Sequence, residues 1–396
     1  MQKNILMVLE TPFPPDERVE NEILVLIKEG FRVTLVCTAK ERKGNITIEE
    51  KENLTIYRIP VSKFIYKSGA IALIVPFYFS FWYRNLNRII NKVKPDAIHI
   101  HDLPLVKTGI RLSRKHKIPV VADYHENRPE IMKMYHHVQT FPGKYLISIK
   151  GWHNYQIKQT PNVDRLILVT EEAKEYYANY YGINAGKITV LPNYISTERF
   201  KTYDLTNETA SGNERSFTVV YFGETGLRRG TMTILESAKL LREKNIKFII
   251  IGNSREQSLL EKTVKNLELN NVTLTGKLPV PEAMKIISSS DVGLCPFLRN
   301  IHHDTTYANK MFQYMALGKP VIVSDCTAQV NVVTLENCGM VFSSGDASDL
   351  SEKILSLSDK STYEVLSKNA KSCIYSKYNW ETSGVRLTDL YNGLLK

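Results

Sequence analysis

The chain has 396 residues, of which 43% are hydrophobic and 23% charged, with 20 Gly and 16 Pro. This composition is typical of soluble globular proteins and excludes collagen, a wholly disordered chain and a multispan membrane protein. At roughly 150 residues per domain, the length predicts two domains, or three small ones.

Positive charge is concentrated in one part of the chain. The formal net charge is +11, and residues 61–160 alone hold 16 Lys and Arg against 5 Asp and Glu. Clustered charge builds a surface potential that scattered charge does not. The cluster is compatible with an anionic membrane, with nucleic acid or with a solvated basic face, and we expect no nucleic-acid partner.

Two features predict a cytoplasmic location. The five cysteines are odd in number and far apart, without the paired spacing of a metal site, so we expect them to be reduced and mostly buried. The apolar run at the N-terminus is about six residues long before Glu10, too short for the core of a signal peptide. We expect no obligatory metal or other cofactor.

Strand and helix patterns alternate along the chain in two successive series. The first series has strand patterns at residues 5–9, 33–37, 97–100, 120–123 and 166–170. The second has them at residues 217–222, 248–251, 272–274, 292–295 and 321–324.

A polar stretch at residues 202–216 separates the two series and is predicted to be a linker. We therefore predict two doubly wound α/β domains, residues 1–200 and 201–377. A C-terminal helix, residues 378–396, is expected to pack back on the first domain. Ligand is expected in a central cleft between the domains, at the carboxyl ends of the strands.

Two segments of the second domain have the character of an anion site. Gly223, Gly226 and Gly230 lie in a strand-to-helix turn beside Arg228 and Arg229, which suits a phosphate, although ordinary turn chemistry is an equal alternative. Further along, a polar loop precedes a helix predicted from residue 309 to residue 317. The candidate ligand contacts there are Thr305, Thr306, Tyr307, Asn309 and Gln313. In the competing interpretation the apolar helix residues form core and the polar ones are solvated.

Together these segments resemble glycosyltransferase family four, retaining nucleotide-sugar enzymes with the GT-B fold of two Rossmann-like domains. The matching segments cover nearly the whole chain in the family's order: TPFPPDERVENEILVLIKEGFRVTLVC, PDAIHIHD, PVVADYHENRPE, VDRLILVTEEAKEYY, ITVLPNYISTERF, VVYFGETGLRRGTMTILESAKLL, VTLTGKLP, DVGLCPF, ANKMFQYMALGKPVIVSD and the final YNW helix.

The resemblance implies that the C-terminal domain binds the donor, with a UDP-sugar as the default. A Gly-Arg, four residues, Lys-Gly pattern clamps the diphosphate in the family, but here Glu224 stands at the Arg position and Arg229 at the Lys position. Because a carboxylate repels phosphate, we expect Arg229 to clamp the donor, with Arg228 as a second cation. Lys277 and Leu278 are implied to approach the nucleobase through their backbone.

The family also has two glutamates, and matching places Thr305 and Gln313 at their positions, so both carboxylates are missing. A glutamine amide can still bridge ribose hydroxyls, and Asp304 could supply charge beside Thr305. Asn309 and Lys310 stand before the helix and are both expected to contact the donor, and with them the departures resemble a variant branch of the family.

In the first domain the resemblance places the active-site histidine at His125, in contact with the donor sugar. A structural histidine is the alternative. Asp16, Arg18 and Glu126 are expected to be acceptor-binding or cleft residues. The implied chemistry is retention, in which the leaving diphosphate accepts the acceptor's proton and positive groups stabilise it.

An uncharged run at residues 70–83 is too short to cross a bilayer, which needs ~20 residues. With its flanking basic residues it suits an anionic membrane interface, and the competing interpretation is a buried helix broken near Pro76. We expect peripheral association with the inner face of the plasma membrane and a membrane-proximal or lipid-linked glycan acceptor, as in cell-surface polysaccharide synthesis.

Three other functions are weighed against an active transferase. A catalytically silent GT-B binding or scaffold subunit is favoured by the missing glutamates and by Glu224. An epimerase is disfavoured because it needs carboxylates where Thr305 and Gln313 stand. A nicotinamide dehydrogenase is disfavoured because no Gly-x-Gly-x-x-Gly follows the first strand.

Overall fold

A computed structural model of the protein describes residues 2–203 and 216–396. Most of the predicted linker, residues 202–216, lies outside the described residues. The chain divides into two compact units. Unit 1 comprises Met1–Pro192 with Ser383–Lys396, and unit 2 comprises Asn193–Thr382.

The strands occur in chain order and are parallel to their neighbours, apart from one antiparallel pair, β3 with β4. They are β1 (Asn4–Pro12), β2 (Arg32–Thr38), β3 (Thr47–Lys51), β4 (Leu54–Ile59), β5 (Ala97–His101), β6 (Val120–Tyr124), β7 (Arg165–Leu168), β8 (Ile188–Val190), β9 (Phe217–Phe222), β10 (Ile246–Ile251), β11 (Val272–Gly276), β12 (Val292–Cys295), β13 (Val321–Ser324) and β14 (Gly339–Phe342).

The helices of the described chain pack around these strands. They are α1 (Glu17–Lys28), α2 (Lys63–Ala70), α3 (Phe77–Val93), α4 (Val106–His116), α5 (Arg128–Met132), α6 (His136–Gln139), α7 (Gly143–Leu146), α8 (Ile149–Gln159), α9 (Glu171–Tyr181), α10 (Thr197–Phe200), α11 (Thr231–Leu240), α12 (Gln257–Asn266), α13 (Val280–Ser289), α14 (Ile301–Asp304), α15 (Asn309–Ala316), α16 (Thr327–Glu336), α17 (Ala347–Leu357), α18 (Lys360–Ser376), α19 (Trp380–Ser383) and α20 (Val385–Leu394).

Each unit has its own sheet, and the prediction of two doubly wound α/β domains is confirmed. Unit 1 has an eight-stranded sheet in the order β3-β4-β2-β1-β5-β6-β7-β8, and unit 2 a six-stranded sheet in the order β11-β10-β9-β12-β13-β14. All residues of β5 and β6 are buried, as expected for central parallel strands covered on both faces. These two strands nevertheless contain His99, His101 and Asp123, so polar groups lie at the centre of the sheet.

The units divide at different residues from those predicted. Residues 193–200 lie in unit 2, because Ile195 and Phe200 are buried in its core. A single helix over residues 378–396 was wrong, because α19 and α20 are separate helices with Gly384 between them. Tyr378 stays in the core of unit 2, whereas α20 belongs to unit 1 and packs on α1.

The prediction for the cysteines is confirmed, whereas the predicted end of one strand was wrong. All five cysteines are free and buried, as predicted. The strand predicted to run to Thr170 ends at Leu168, because the Thr170 hydroxyl caps α9 by accepting from the Ala173 backbone N–H at 2.9 Å.

A glycine in β12 allows α15 to lie close against the sheet of unit 2. A Cβ atom on Gly293 would stand 2.1 Å from the Tyr314 ring, far inside van der Waals contact. The Tyr314 hydroxyl in turn accepts a hydrogen bond of 2.7 Å from the backbone N–H of Phe222, at the end of β9. Gly293 therefore sets the distance between α15 and the end of β9, where several candidate donor contacts lie.

We predict that Gly293→Ala lowers the free energy of unfolding by about 1–3 kcal/mol, since the Tyr314 ring must move to admit the methyl group. The matched control is Gly393→Ala in α20, where a Cβ would meet nothing within 4 Å. That substitution is expected to raise the free energy of unfolding by up to about 1 kcal/mol. Urea denaturation of both variants measures the difference, and equal stabilities would contradict the prediction.

Candidate functional site

The glycine turn of unit 2 has the backbone geometry that only glycine adopts easily. Gly223 follows β9 with φ +123°, and Gly230 precedes α11 with φ +75°. A Cβ on Gly230 would stand 1.6 Å from the carbonyl oxygen of Pro296. The turn therefore needs glycine at both ends to place the start of α11 against the segment that follows β12.

Three basic side chains lie around this turn, with the carboxylate of Glu224 among them. The carboxylate of Glu256 is also near, with Oε2 3.6 Å from the place of a Cβ on Gly226. Nη2 of Arg228 and Nε of Arg229 lie 2.5 Å and 3.3 Å from Oε2 of Glu224. Nζ of Lys310 lies 3.1 Å from the place of a Cβ on Gly223 and 3.6 Å from the centroid of the Tyr221 ring. The predicted donor contacts Arg228, Arg229 and Lys310 thus lie around the same turn, and Glu224 binds the two arginines rather than standing apart from them.

The environment of Lys310 disfavours its charge. Desolvation lowers the pKa of Lys310 well below its ordinary value, and Arg229 lowers it further. Both cations also lie over the ring of Phe297, with Arg229 4.8 Å and Lys310 5.6 Å from its centroid. An anion bound beside Nζ would favour the charged form, so this group is suited to binding phosphate.

The loop before α15 uses its hydroxyl groups within the fold. The Thr305 hydroxyl donates to the carbonyl oxygen of Ile301 and that of Thr306 to His302, each at 2.8 Å, and both threonines are buried. Asp304, expected to compensate for a missing glutamate, accepts from the Thr327 backbone N–H at 2.9 Å. It also pairs with Arg299 at 3.2 Å, so it is already engaged.

The remaining predicted donor contacts vary in exposure. Asn309 and Lys277 are exposed and Gln313 is partly buried on α15. Leu278 packs against the core of unit 2, and the Tyr307 ring stacks on that of Tyr194 with centroids 6.0 Å apart. The apolar face of α15 is core, as the competing interpretation expected, while its polar residues remain accessible for binding.

Sequence reasoning missed two buried histidines beside the arginines. Burial is the main cause that lowers the pKa of His302 to about 3 and of His303 to about 4, and the charges of Arg228 and Arg229 contribute to both shifts. Nδ1 of His303 lies 2.7 Å from the carbonyl oxygen of Leu298, to which it donates. The pair of adjacent histidines before the polar loop was the only sequence signal.

In unit 1, His125 lies just after β6 and contacts a buried carboxylate. Its Nε2 is 3.0 Å from Oδ2 of Asp123 and 3.3 Å from Nδ1 of His101, and its Nδ1 is 4.0 Å from Oδ2 of Asp102. The His125 side chain is 22% exposed. One ring nitrogen is therefore held inside the protein while the group remains accessible from solvent.

Arg18 and Asp16 have structural contacts that their sequence positions did not reveal. The Arg18 guanidinium is 3% exposed and donates to Asp123 through Nε at 3.2 Å and Nη2 at 2.8 Å, and through Nη1 to the Leu191 carbonyl at 2.9 Å. Asp16 caps α1 by accepting from the Val19 backbone N–H at 3.1 Å. Glu126 is partly buried beside His125 in sequence. Arg18 thus supports Asp123 from inside the protein and does not present its charge to solvent.

The same buried network includes Glu22 and the two histidines of β5. Nε of Arg18 is 3.0 Å from Oε1 of Glu22, and Nε2 of His99 lies 3.7 Å from Glu22 and 3.6 Å from Asp123. Sequence reasoning did not single out Glu22 or the histidines. The alternation in AIHIH, which puts His99 and His101 on one face of a strand, was the available signal.

Four side chains of this network have ligand atoms within 4.8 Å of one another, a spacing that a metal ion could bridge: Glu22, His99, His101 and Asp123. Arg18 already pairs with both carboxylates of the group. A divalent cation would face that guanidinium at close range, so we interpret the cluster as an ion-pair network.

The network separates the pKa values of its members. Burial raises the pKa of Asp123, but Arg18 and His125 outweigh it and hold that pKa well below its usual range. Burial and Asp123 raise the pKa of Glu22 well above its usual range. Burial alone would lower the pKa of His125, but Asp123 and Asp102 raise it to about 9. At neutral pH, Asp123 is therefore ionised and His125 is an imidazolium.

Comparison with known families identifies the chain. A family model described as Glycosyltransferase Family 4 matches residues 18–199, and one described as Glycosyl transferases group 1 matches residues 216–360. The chain belongs to the family 4 type of glycosyltransferases. The two matches coincide closely with the two α/β units.

Curated relatives of the glycosyltransferase share about a fifth of its residues. The UDP-Gal:alpha-D-GlcNAc-diphosphoundecaprenol alpha-1,3-galactosyltransferase of Escherichia coli is 22% identical over 328 residues, which cover 78% of this chain and 78% of the relative. The capsular polysaccharide biosynthesis glycosyltransferase CapM of Staphylococcus aureus is 22% identical over 280 residues, which cover 65% of this chain and 70% of the relative.

Solved structures show the same fold. Sucrose-phosphate synthase of Thermosynechococcus elongatus has a TM-score of 0.75 at 16% identity, covering 99% of each chain. HepE of Anabaena in complex with UDP has a TM-score of 0.68 at 13% identity, covering 100% of each chain. The fold of the glycosyltransferase is GT-B, as predicted.

The basic region of the glycosyltransferase carries exposed apolar side chains. Phe64 on α2 is 63% exposed, Ile74 between α2 and α3 is 62% exposed, and Phe77 on α3 is 54% exposed. Phe141 and Tyr145, near α7, are 84% and 77% exposed. The chain does break at Pro76, where α3 begins, and the opposite face of α3 is buried in the core. Across residues 2–203 and 216–396, no helix combines the length and apolar character that spanning a membrane requires.

We predict that the folded state loses stability as the pH rises from about 6.5 to about 9. His125 has a folded pKa raised from 6.5 to about 9, so its stabilising contribution is complete below pH 6.5 and is lost through that window. The full shift corresponds to about 3 kcal/mol in the free energy of unfolding. The raised pKa of Glu22 acts in the same direction.

Urea denaturation across this pH range measures how steeply the free energy of unfolding falls with pH. The His125→Gln variant should lose most of the pH dependence that the wild type shows. The control is His136→Gln, on the exposed end of α6, which should retain the wild-type slope. An unchanged slope in His125→Gln would contradict the assignment of the imidazolium.

Proposed function

We propose that this glycosyltransferase moves a sugar from a UDP-sugar donor, with retention at the anomeric carbon, to a membrane-proximal or lipid-linked glycan in cell-surface polysaccharide synthesis. The observation that carries the proposal is the set of cations around the glycine turn of unit 2: Arg228, Arg229 and Lys310. The donor's nucleotide and diphosphate would occupy unit 2, and His125 would contact the sugar.

The donor part of the proposal rests on charge and on backbone geometry. A diphosphate needs positive groups and N–H donors, and the turn provides three basic side chains beside the first turn of α11. Gln313 is partly buried on α15 and offers both an acceptor and donors for ribose hydroxyls. HepE, a structural neighbour, was solved with UDP, and the name of the E. coli relative states a UDP-sugar donor.

The proposed chemistry places its main demand on the leaving group. As the bond to the sugar breaks, negative charge develops on the diphosphate, and Arg229 with Lys310 would stabilise it. The diphosphate would accept the proton of the attacking hydroxyl on the same face. The imidazolium of His125 would supply a hydrogen-bond donor through Nδ1, since its Nε2 is held by Asp123.

Glu224 is proposed to set the net charge of the donor site. Glu224 reduces the positive charge of the three basic groups when Lys310 is protonated, and a second carboxylate, Glu256, places its Oε2 3.6 Å from the place of a Cβ on Gly226. A free nucleoside diphosphate carries more negative charge than the donor does. A site without Glu224 would therefore hold the product more tightly, and we infer that this carboxylate favours product release.

The acceptor part of the proposal rests on the basic region with its exposed aromatic residues. Phe64 and Phe77 contact each other with ring centroids 5.9 Å apart, and Phe141 and Tyr145 do so at 6.4 Å. Leu73 packs within 3.2 Å of the place of a Cβ on Gly151, which brings the start of α8 to the turn between α2 and α3. Aromatic groups surrounded by positive charge suit the interface of an anionic bilayer.

A silent GT-B binding subunit is the second candidate function. It is favoured by the engagement of Glu224 with both arginines and by the internal hydrogen bond of Thr305. The two candidates differ in whether the wild type transfers or hydrolyses a sugar from a donor that it binds. They share the donor site, so binding alone does not separate them.

We predict that Arg229→Ala weakens binding of a UDP-sugar about ten- to hundredfold, the loss expected for a charge-assisted contact to phosphate. Glu224→Gln should act in the opposite direction, binding UDP more tightly and increasing inhibition by this product. Calorimetry with UDP and UDP-sugars, together with product-inhibition kinetics, measures both effects.

Arg242→Ala is the matched control, because Arg242 is exposed and pairs only with its neighbour Glu243 among the ion pairs of the described residues. Unchanged donor binding in Arg229→Ala would overturn the donor site. Donor binding that follows the predicted order, without transfer or hydrolysis by the wild type, would favour the silent subunit.

We also predict that the wild type sediments with vesicles containing anionic lipid at low salt, and that the double variant Phe141→Ser, Tyr145→Ser binds them about tenfold more weakly, because two aromatic anchors are lost. Leu335→Ser is the control, since Leu335 is 70% exposed but lies on α16 of unit 2. Equal binding by the double variant and the control, or no binding by the wild type, would remove the membrane part of the proposal.

A further inference from the structure

The last helix supplies a buried hydroxyl group to the polar network around His125. Tyr391 lies on α20, is fully buried, and its Oη is 2.8 Å from Nδ1 of His99. The Tyr391 ring also packs beside Phe31, with centroids 6.0 Å apart. The hydroxyl and the ring of this side chain therefore have separate contacts, which substitution can separate.

The direction of the hydrogen bond follows from the other ring nitrogen of His99. Burial lowers the pKa of His99, so the ring is neutral and only one nitrogen carries hydrogen. Nε2 faces Oδ2 of Asp123 at 3.6 Å and Oε2 of Glu22 at 3.7 Å. Asp123 is the ionised carboxylate of the two, and its charge favours an N–H there over a lone pair. Nε2 therefore carries the hydrogen, Nδ1 accepts, and Tyr391 donates.

This tautomer matters to His125 through Asp123. The Asp123 carboxylate accepts hydrogen bonds from Arg18 and, at 3.0 Å, from Nε2 of His125. It also faces the rings of His99 and His101. If His99 turned a lone pair toward Asp123, one positive dipole would be removed from beside a buried anion. The charge balance and position of the imidazolium that Asp123 holds would then change.

We propose that Tyr391 is a positioning residue for His125: its O–H fixes the Nε2–H tautomer of His99, which directs an N–H toward Asp123. The inference rests on the proposed function in one respect, namely that His125 contacts the donor sugar. It requires no contact between Tyr391 and substrate.

The groups that face this hydrogen bond come from each element packed around it. They are Arg18 and Glu22 on α1, His101 at the end of β5, Asp102 after it, Asp123 on β6 and His125 after β6. Removing a donor from a neutral imidazole raises its pKa, because the hydrogen bond stabilises the neutral form. Loss of the Tyr391 hydroxyl should therefore raise the pKa of His99.

The test is Tyr391→Phe in the full-length chain, which keeps the ring and removes the hydroxyl. Nitrogen-15 NMR of the histidine side chains reports the tautomer, with the His99 signal assigned by its loss in His99→Gln. The wild type should show a hydrogen on Nε2 and none on Nδ1, and the variant should show a measurable fraction of the Nδ1–H form.

In transfer kinetics, kcat of the Tyr391→Phe variant should fall about two- to tenfold, the equivalent of one hydrogen bond. The donor KM should change less than about twofold, and the acid limb of the pH profile should move to higher pH.

Tyr378→Phe is the matched control. Its hydroxyl is also in a buried side chain and lies 2.8 Å from Glu336, but in unit 2. It should lose comparable thermal stability while keeping the His99 tautomer and the acid limb of the wild type. A Tyr391→Phe variant that behaves like this control would reduce Tyr391 to a packing role and overturn the proposal.

Two further outcomes keep the proposal decidable. If Tyr391→Phe does not fold, the wild-type spectrum alone still decides, since a hydrogen on Nδ1 of His99 overturns the proposal. If the wild type shows the Nε2–H tautomer but transfers no sugar, the proposed function fails and the tautomer assignment still stands.

Discussion

A buried negative charge at the centre of a parallel sheet is the constraint on which the first unit depends. Asp123 is fully buried on a central strand, where an unpaired carboxylate would be very costly. The fold compensates with Arg18 from the first helix and His125 from the next turn, and with the strand histidines at longer range. An arginine expected to bind ligand thus balances an internal charge, and it leaves His125 positively charged at the edge of the sheet.

The second unit has the opposite requirement, since it gathers positive charge around the glycine turn. Glycines at 223 and 230 bring backbone close to basic side chains, and aromatic rings cover part of those cations. Glu224 pairs with the two arginines. A carboxylate that looked incompatible with phosphate in the sequence is part of a charge balance in the structure.

The sequence was sufficient for the architecture because continuous apolar strands and amphipathic helices are local signals. Strands 217–222, 292–295 and 321–324 begin and end at the predicted residues. The short β3–β4 hairpin was missed, because three of the five residues of β3 are charged and it lies at the edge of the sheet. The two C-terminal helices were wrongly predicted as one. Tyr378 packs in the core of unit 2 and Tyr391 is buried in unit 1, and the local sequence pattern does not show which unit a side chain packs in.

The site was less predictable for the same reason. Motif positions identified His125, Arg228, Arg229 and Lys310, but the approach of Lys310 to the glycine turn depends on the close packing of α15 against β12 at Gly293. Roles in the buried network needed distances that the sequence does not contain: the partners Arg18 and Asp123 are 105 residues apart in the chain. The aspartate at residue 16 carried a recognisable helix-capping signal and was still assigned to ligand, because position in a motif outweighed local chemistry.

The discontinuity of the first unit bears on how the protein is made. Domains usually fold in the order in which the ribosome delivers them. Here Tyr391 and its partner His99 are separated by 292 residues, and all of Asn193–Thr382 is synthesised between them. The N-terminal sheet therefore receives this hydrogen-bonding partner only after the whole of Asn193–Thr382 has been synthesised.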